Sequence, residues 1–402
     1  MKIGIIREGK IPEDSRVPLT PKQCRFILDK YDIELVVQPS KGRCYSDDEY
    51  LTEGVPMSED MESCDVLLGV KEVPIDQLVE GKTCFFFSHT IKEQVYNRPL
   101  LQAIIEKNIR LIDYEVIKGD RGRVIAFGVF AGMVGAHNGI MTYGTRTGLF
   151  TLPRMNSFKQ YVDAVDFYKA VDFPKMKIAL TGTGRVGQGA TKVLLDMGIR
   201  QVDSDAFLNE SFDEAVFTQL DCYNYVCPKD KSKPFDKKEF YKHPERFESS
   251  FAPYTRCADI MINGIYWDNN APAFFSVDDM KKDDFAIQVV ADVTCDIAPV
   301  SSIPSTLFAS TIKEPIFGFD PETGKECTPF QPKSVDMMTV DNLPNELPRD
   351  ASEAFGQMFL DHVFDELVNI ENSDFLMRAS VTYNRDLGPN FEYLRDYLNG
   401  AD

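Results

Sequence analysis

Six residues restrict what this chain can become more than any others. Gly182-Thr183-Gly184-Arg185-Val186-Gly187 is preceded directly by an apolar run, Lys177 to Thr181, and followed directly by a helical pattern, Gln188 to Met197. In a strand that turns on three glycines into a helix, each glycine has a mechanical task. Gly182 makes the tight turn, Gly184 lets a phosphate approach the backbone, and Gly187 lets the helix pack on the strand. Unpaired N–H groups and the positive end of the helix dipole then favour a pyrophosphate. Asp203 follows the apolar stretch Ile199 to Val202, 21 residues after Gly182. That is the spacing of an acid that accepts hydrogen bonds from an adenosine ribose and repels a 2′-phosphate. The motif predicts a dinucleotide site, with NAD favoured over NADP by Asp203; Arg185 and Arg200 are near enough to offset that preference. The competing reading is a tight strand-to-helix turn without a ligand.

Around the motif, short apolar runs alternate with helical stretches. Strands are predicted at Lys2 to Ile6, Glu34 to Gln38, Val66 to Gly69, Cys84 to Phe87 and Ile109 to Asp113. Helices are predicted at Pro21 to Lys30 and about Ile91 to Lys107. Strands separated by helices imply a parallel sheet, so residues 1–130 read as an open α/β domain. A segment from Ala131 to Tyr168, one or two helices, leads to a second α/β domain over about 131–344. Its later strands are expected at Ile260 to Asn263, Ala286 to Val293 and Ile316 to Phe319. The polar, aromatic stretch 203–256 reads as an insertion. Helices are expected at Ala351 to Ile370 and near Phe391 to Leu398.

Charge and cysteine use narrow the function classes. The 44 Lys+Arg against 63 Asp+Glu give a net charge of −19, which repels a phosphate backbone over most of the surface. A nucleic acid partner and a polybasic membrane contact are not expected. Met1 to Glu8 reads as a strand rather than a secretion signal, and no run of 18 apolar residues occurs. The nine cysteines are scattered with no CxxC pair, so we expect reduced thiols, no metal site and a cytoplasmic protein.

The first domain places basic residues at predicted strand ends. Lys71 follows the strand ending near Val70, and His89 and Lys92 follow the next. Open α/β sheets bind ligands outside the carboxyl ends of their strands, so Lys71 and His89 are candidate proton-transfer groups on one rim. Glu72 and Glu115 are acids able to raise the pKa of both. Arg16 and Arg123 have the fork geometry for a carboxylate. The bland alternative is that the histidine is a structural hydrogen-bonding residue and the cations are merely solvated. His137, His243 and His362 read as structural.

Longer blocks carry a family resemblance. Phe85-Phe86-Phe87-Ser88-His89-Thr90-Ile91-Lys92-Glu93-Gln94, Ile109-Arg110-Leu111-Ile112-Asp113-Tyr114-Glu115, Ala252-Pro253-Tyr254-Thr255, Ile262-Asn263-Gly264-Ile265-Tyr266-Trp267 and Val340-Asp341-Asn342-Leu343-Pro344 resemble the lysine-forming saccharopine dehydrogenases. The nearest likeness is to the lysine-ketoglutarate reductase half of aminoadipic semialdehyde synthases, from Arg7 to about Val363. Alanine dehydrogenases are more distant; their histidine block usually reads His-Leu-Ala, against His89-Thr90-Ile91-Lys92 here.

The resemblance implies two Rossmann-like doubly wound domains with an interdomain cleft, residues 345–402 returning to the first. It implies reversible condensation of lysine with 2-oxoglutarate and reduction of the imine to saccharopine by NAD(P)H. Lys71 and His89 match the acid–base pair, Glu72 and Glu115 the acids beside it, and Lys92 a nearby cation. Arg16 and Arg123 match carboxylate binders, and Asp296 an aspartate on the nicotinamide side. Gly182, Gly184, Arg185, Val186 and Gly187 form the nucleotide loop, and the bifunctional relatives tend to use NADP(H). The length leaves no room for a glutamate-forming saccharopine dehydrogenase domain, so the chain is expected to act alone or to pass saccharopine on. Competing readings are an alanine or other amino-acid dehydrogenase, and a nucleotide-binding protein without chemistry.

Overall fold

Short runs of β-branched, leucine and aromatic residues form two separate parallel sheets. The computed structural model describes residues 1–120 and 122–400. The chain divides into unit 1, Met1–Phe127 with Pro348–Asp402, and unit 2, Gly128–Leu347.

In unit 1 the strands are β1 (Lys2–Ile5), β2 (Glu34–Val37), β3 (Val66–Leu68), β4 (Thr83–Phe86) and β5 (Arg110–Asp113). They pair in parallel in the order β2-β1-β3-β4-β5. Nearly every strand residue is buried, so both faces are covered, as parallel sheets require. The helix Pro21–Lys30 starts on a Thr20 cap with Gln23 closing a capping box and proline at its first turn. The helix Pro348–His362 belongs to this unit: the Phe355 ring meets Tyr114 edge-on at 4.9 Å and Phe359 meets Phe85 at 5.8 Å. Ser352 Oγ also accepts from the Val17 backbone N–H at 2.9 Å. In this strand order the connection reverses between β1 and β3. The carboxyl ends of those two strands are therefore the natural ligand position.

The helix expected from Ile91 begins only at Arg98 and runs to Glu106. His89 and Glu93 both take left-handed backbone conformations, φ 55°, and the chain between β4 and the helix runs in single 3-10 turns. A continuous helical ladder cannot pass through such residues. The irregular turn instead carries the His89 side chain at the strand end.

Unit 2 contains β6 (Lys177–Thr181), β7 (Arg200–Gln201), β8 (Val216–Leu220), β9 (Ile260–Asn263), β10 (Val289–Asp292), β11 (Ile316–Asp320), β12 (Lys325–Cys327) and β13 (Val335–Met338). Their order is β12-β11-β13-β10-β9-β6-β8-β7, parallel from β13 to β7 with β11 and β12 added antiparallel at one edge. The helices Gly128–Thr147 and Arg185–Asp196 cross with backbones nearly touching: a Cβ on Gly189 would lie 1.9 Å from the Val129 carbonyl oxygen. The long helix stops at Thr147, and the region expected as one or two helices is completed by Tyr161–Tyr168. His137, inside the long helix, is fixed by the Tyr168 hydroxyl and the Pro153 carbonyl, both at 2.7 Å.

One expectation fails here. The stretch 203–256 is not all insertion, because Val216–Leu220 pairs with Lys177–Thr181 along five residues, one strand in from the sheet edge. The predicted second strand forms only Arg200–Gln201, at the sheet edge. There the chain turns on Asp203 into the short helix Ser204–Asn209 before entering the sheet properly. No helix among the described residues is long and apolar enough to cross a membrane.

Candidate active site

The polar side chains of unit 1 gather beyond the carboxyl ends of β1, β3 and β4. Glu8, in the loop after β1, binds the end of β3: its two oxygens accept from the backbone N–H groups of Val70 at 2.6 Å and Lys71 at 2.8 Å. Burial, and then Asp14, push the Glu8 carboxyl up to about 8. The Lys71 amine is held below the usual lysine range, first by desolvation and then by the charges of Arg16 and Lys10. Glu72 joins two basic side chains. Its Oε1 lies 2.6 Å from His89 Nδ1 and its Oε2 accepts from Lys10 Nζ at 2.7 Å. Burial alone would raise its pKa, but those partners hold the Glu72 carboxyl down to about 2. A carboxylate can only accept, so Nδ1 of His89 carries a proton.

The remaining candidates of this unit divide. Arg16 is buried, its guanidinium carbon 4.2 Å from the Phe127 ring centroid. Its Nε and Nη2 bind Asp14 at 2.9 and 2.5 Å, so the fork geometry expected to clamp a substrate carboxylate is turned on a carboxylate of the chain itself. Arg123 donates from Nε to the Ile125 carbonyl at 2.8 Å and lies 3.4 Å from Glu115 Oε1. Glu115 Oε2 is buried with no hydrogen-bond partner among the described residues. Lys92 is exposed on the turn after His89. Phe87 links the parts, with its ring 6.4 Å from His89 and 5.3 Å from the Arg123 guanidinium. Lys10, Glu8 and Asp14 escaped the sequence reading. The rule that picked Lys71 and His89, a polar residue just past a strand, applied equally to the loop after β1.

In unit 2 the glycine turn is built as its spacing predicted. Gly182 has φ 97°, and a Cβ there would lie 2.5 Å from the Gly264 carbonyl oxygen, so the chains leaving β6 and β9 approach too closely for any other residue. Gly184 is the cap residue of the helix Arg185–Asp196, no side chain caps it, and a Cβ on it would meet nothing within 4 Å. An uncapped helix N-terminus beside an open glycine suits a pyrophosphate. Gly187 keeps the helix against the turn, where a Cβ would lie 2.1 Å from the Gly182 carbonyl oxygen. Arg185 and Val186 follow as the first residues of the helix. Behind the turn, Asn263 ties three strand ends together: it accepts from Thr181 Oγ1 at 2.8 Å and donates to Asp292 Oδ1 at 2.9 Å. Asp296 is half-buried just past β10, in this unit rather than with Lys71 and His89.

Asp203 stands one strand further from the glycine turn than its spacing implied. It follows the edge strand β7, and its carboxylate caps the helix Ser204–Asn209 by accepting from Asp205 and Ala206 at 3.0 and 2.9 Å. The strand beside β6 is β8, with Leu220 opposite Thr181. Asp221 therefore stands one strand spacing from Gly182, and the Gly182 N–H donates to the Leu220 carbonyl at 2.9 Å. The missed signal was the run Val216 to Leu220 ending on an acid. The spacing rule counts residues, whereas the sheet places strands.

Residues 4–134 match the family described as alanine dehydrogenase/PNT, N-terminal domain. The chain is 29% identical over 444 residues to alpha-aminoadipic semialdehyde synthase of Arabidopsis thaliana, covering 98% of this chain and 41% of that protein. It is 26% identical over 404 residues to the saccharopine dehydrogenase (NAD(+), L-lysine-forming) of Emericella nidulans, with 96% of each covered. It thus spans less than half the length of the aminoadipic semialdehyde synthases it matches. Among solved structures, L-alanine dehydrogenase aligns at a TM-score of 0.67 and 17% identity, over 99% of this chain and 100% of that one. A transhydrogenase from Sinorhizobium meliloti aligns at 0.61 and 15%, over 96% and 100%. Along nearly its whole length the chain is thus similar to lysine-forming saccharopine dehydrogenases and aminoadipic semialdehyde synthases, and it has the α/β fold of L-alanine dehydrogenase.

Proposed function

We propose that the chain is a nicotinamide-dependent saccharopine dehydrogenase of the lysine-forming type, joining lysine to 2-oxoglutarate and reducing the resulting imine to saccharopine with release of water. The observation that carries this reading is the chain Lys10–Glu72–His89 beside Lys71 at the strand ends of unit 1. The names of the relatives supply saccharopine and lysine, and 2-oxoglutarate is the keto acid that the family resemblance implies.

Condensing an amine with a ketone requires a proton to reach the carbonyl oxygen, an amine proton to leave, and water to depart from the carbinolamine. Lys71, its amine lowered by burial and neighbouring cations, is suited to take a proton from the substrate amine. His89, with Nδ1 tied to ionised Glu72, is suited to give a proton to the departing oxygen from Nε2. The buried Glu115 Oε2 gives an ammonium or amine N–H an acceptor. Arg123 and Lys92 are the cations we assign to substrate carboxylates. Arg16, engaged by Asp14, is assigned to shaping the charge around Lys71. We place the pyrophosphate at Gly182, Gly184, Arg185, Val186 and Gly187, and Asp296 on the nicotinamide side. The bound nicotinamide supplies the hydride exchanged at the carbon–nitrogen bond.

The test is initial rates of NADH and NADPH oxidation with lysine plus 2-oxoglutarate, beside pyruvate plus ammonia. Turnover is expected with the first pair. Turnover with the second pair and none with the first would replace this reading by an alanine dehydrogenase.

A further inference from the structure

The chain leaves β8 at Asp221 and rejoins the sheet at β9. Between them, 226–228 and 247–249 pair as an antiparallel ladder. The helix Lys237–Lys242 is held to that ladder by buried Phe240 and Phe247, whose rings are 5.2 Å apart. This packing fixes the first residue of the helix over the end of β8. Lys237 Nζ lies 2.7 Å from Oδ2 and 3.0 Å from Oδ1 of Asp221, with the Tyr241 ring centroid at 5.9 Å. The side chains are 46% and 23% exposed, so the pair stands at the surface of the fold and is open to a ligand. Asp221 Oδ1 also accepts from the Cys222 backbone N–H at 2.7 Å, capping the turn that follows, which leaves Oδ2 beside Lys237 as the oxygen that faces a ligand. Against its partial burial, the lysine and that backbone contact keep the Asp221 carboxyl below its ordinary range. Arg200, one of the two cations that sequence offered for offsetting Asp203, pairs with Glu214 at 2.7 Å on the edge strand.

We propose that the Asp221–Lys237 pair reads the 2′ position of the adenosine ribose. Asp221 accepts from a free 2′-hydroxyl, and Lys237 supplies the positive charge that admits a 2′-phosphate, so the site binds both NADH and NADPH. The inference rests on the dinucleotide site proposed at Gly182. An acid by itself at this strand end excludes the phosphate, and a cation close to it accommodates it. A lysine offers three donors on a flexible stem, so one ammonium can stay on the carboxylate and contact a second anion. The cation comes from the excursion after β8, far from the glycine turn in sequence and brought to it by the strand order.

The experiment is equilibrium titration of the full chain with NADH and with NADPH, following energy transfer from Trp267 to the reduced nicotinamide and confirming by calorimetry. Trp267 is the single tryptophan and lies three residues after Gly264. Wild type is expected to bind both within about tenfold of each other. Lys237→Ala and Lys237→Gln should each weaken NADPH by about tenfold or more, the loss of a charge-assisted pair, while NADH changes less than about twofold. Lys231→Ala, in the same excursion but paired with Glu248 at 2.6 Å, should change neither. Equal weakening of both dinucleotides by the Lys237 variants, no weakening, or a wild type that rejects NADPH overturns the inference while leaving the dehydrogenase reading intact. A wild type that binds neither dinucleotide overturns both.

Discussion

The two units build their candidate sites by opposite means. At the switch point of unit 1, titratable side chains do the building: Lys10 and His89 meet on Glu72, Asp14 meets Arg16, and Glu8 holds the backbone of Lys71. At the switch point of unit 2, the turn itself is backbone: Gly182 against Gly264, Gly187 against Gly182, and an uncapped helix end at Gly184. Side chains suit proton transfer because they titrate. Backbone N–H groups suit anion binding because they do not, and because the dipole that accompanies them is fixed. The comparison predicts that damage to each unit is of a different kind.

The largest expected effect breaks chemistry without touching the nucleotide. Lys71→Met combined with His89→Gln removes both proposed proton carriers, and kcat should fall by about a thousandfold or more. Kd for NADH should stay within about twofold of wild type. Steady-state rates beside a binding titration check this; a comparable loss of nucleotide affinity would show that the division of labour is false. The reciprocal change acts on the fold. Gly189→Val places a side chain where a Cβ would already be 1.9 Å from the Val129 carbonyl oxygen. Overpacking of this kind costs about 3 kcal/mol. Thermal unfolding should show a lowered transition, and added NADH should no longer raise it.

A smaller effect tests whether the side-chain cluster also stabilises its unit. Glu72 is held near 2, below its ordinary value of 4.5, by His89 and Lys10 against the contrary pull of burial. A depressed carboxylate contributes stability that is fully present above about pH 4.5 and is lost as pH falls towards 2. The loss should amount to about 2 kcal/mol, since the group is mostly buried and so only partly screened. Wild type should therefore lose stability across that window more steeply than Glu72→Gln, measured by denaturant midpoints at pH 5 and pH 3. Parallel curves would show that the cluster contributes nothing to holding unit 1 together.

What could be read from the sequence follows the same division. Strand-ending polar residues are local signals, so Lys71, Glu72 and His89 were recognisable before any fold was known, as was the strand–turn–helix at Gly182. What each charged group pairs with was hidden. Asp14 is only two residues from Arg16, yet nothing in the spacing says that the arginine turns back on it rather than outward. The irregular path after His89 was hidden too, because left-handed backbone at His89 and Glu93 leaves no mark in a hydrophobic pattern. Strand order was the largest omission. Counting residues from Gly182 reached a two-residue edge strand, and the strand beside β6 lay inside a region that looked like an insertion.

The smallest predicted effect decides between residue counting and strand order. Asp203 was chosen by its distance from Gly182, and the structure gives its carboxylate the backbone N–H groups of Asp205 and Ala206. Asp203→Ala should then behave as the loss of a helix cap, costing about 1 kcal/mol. It should leave the affinities for NADH and NADPH within about twofold of wild type, because the edge strand β7 is separated from β6 by the whole of β8. Asp203→Asn keeps a cap oxygen and should restore the stability. A loss of NADH affinity in Asp203→Ala that Asp203→Asn does not restore, with Asp221→Ala silent, would return the ribose to Asp203. It would also mean that a nucleotide bound at this turn reaches past the neighbouring strand.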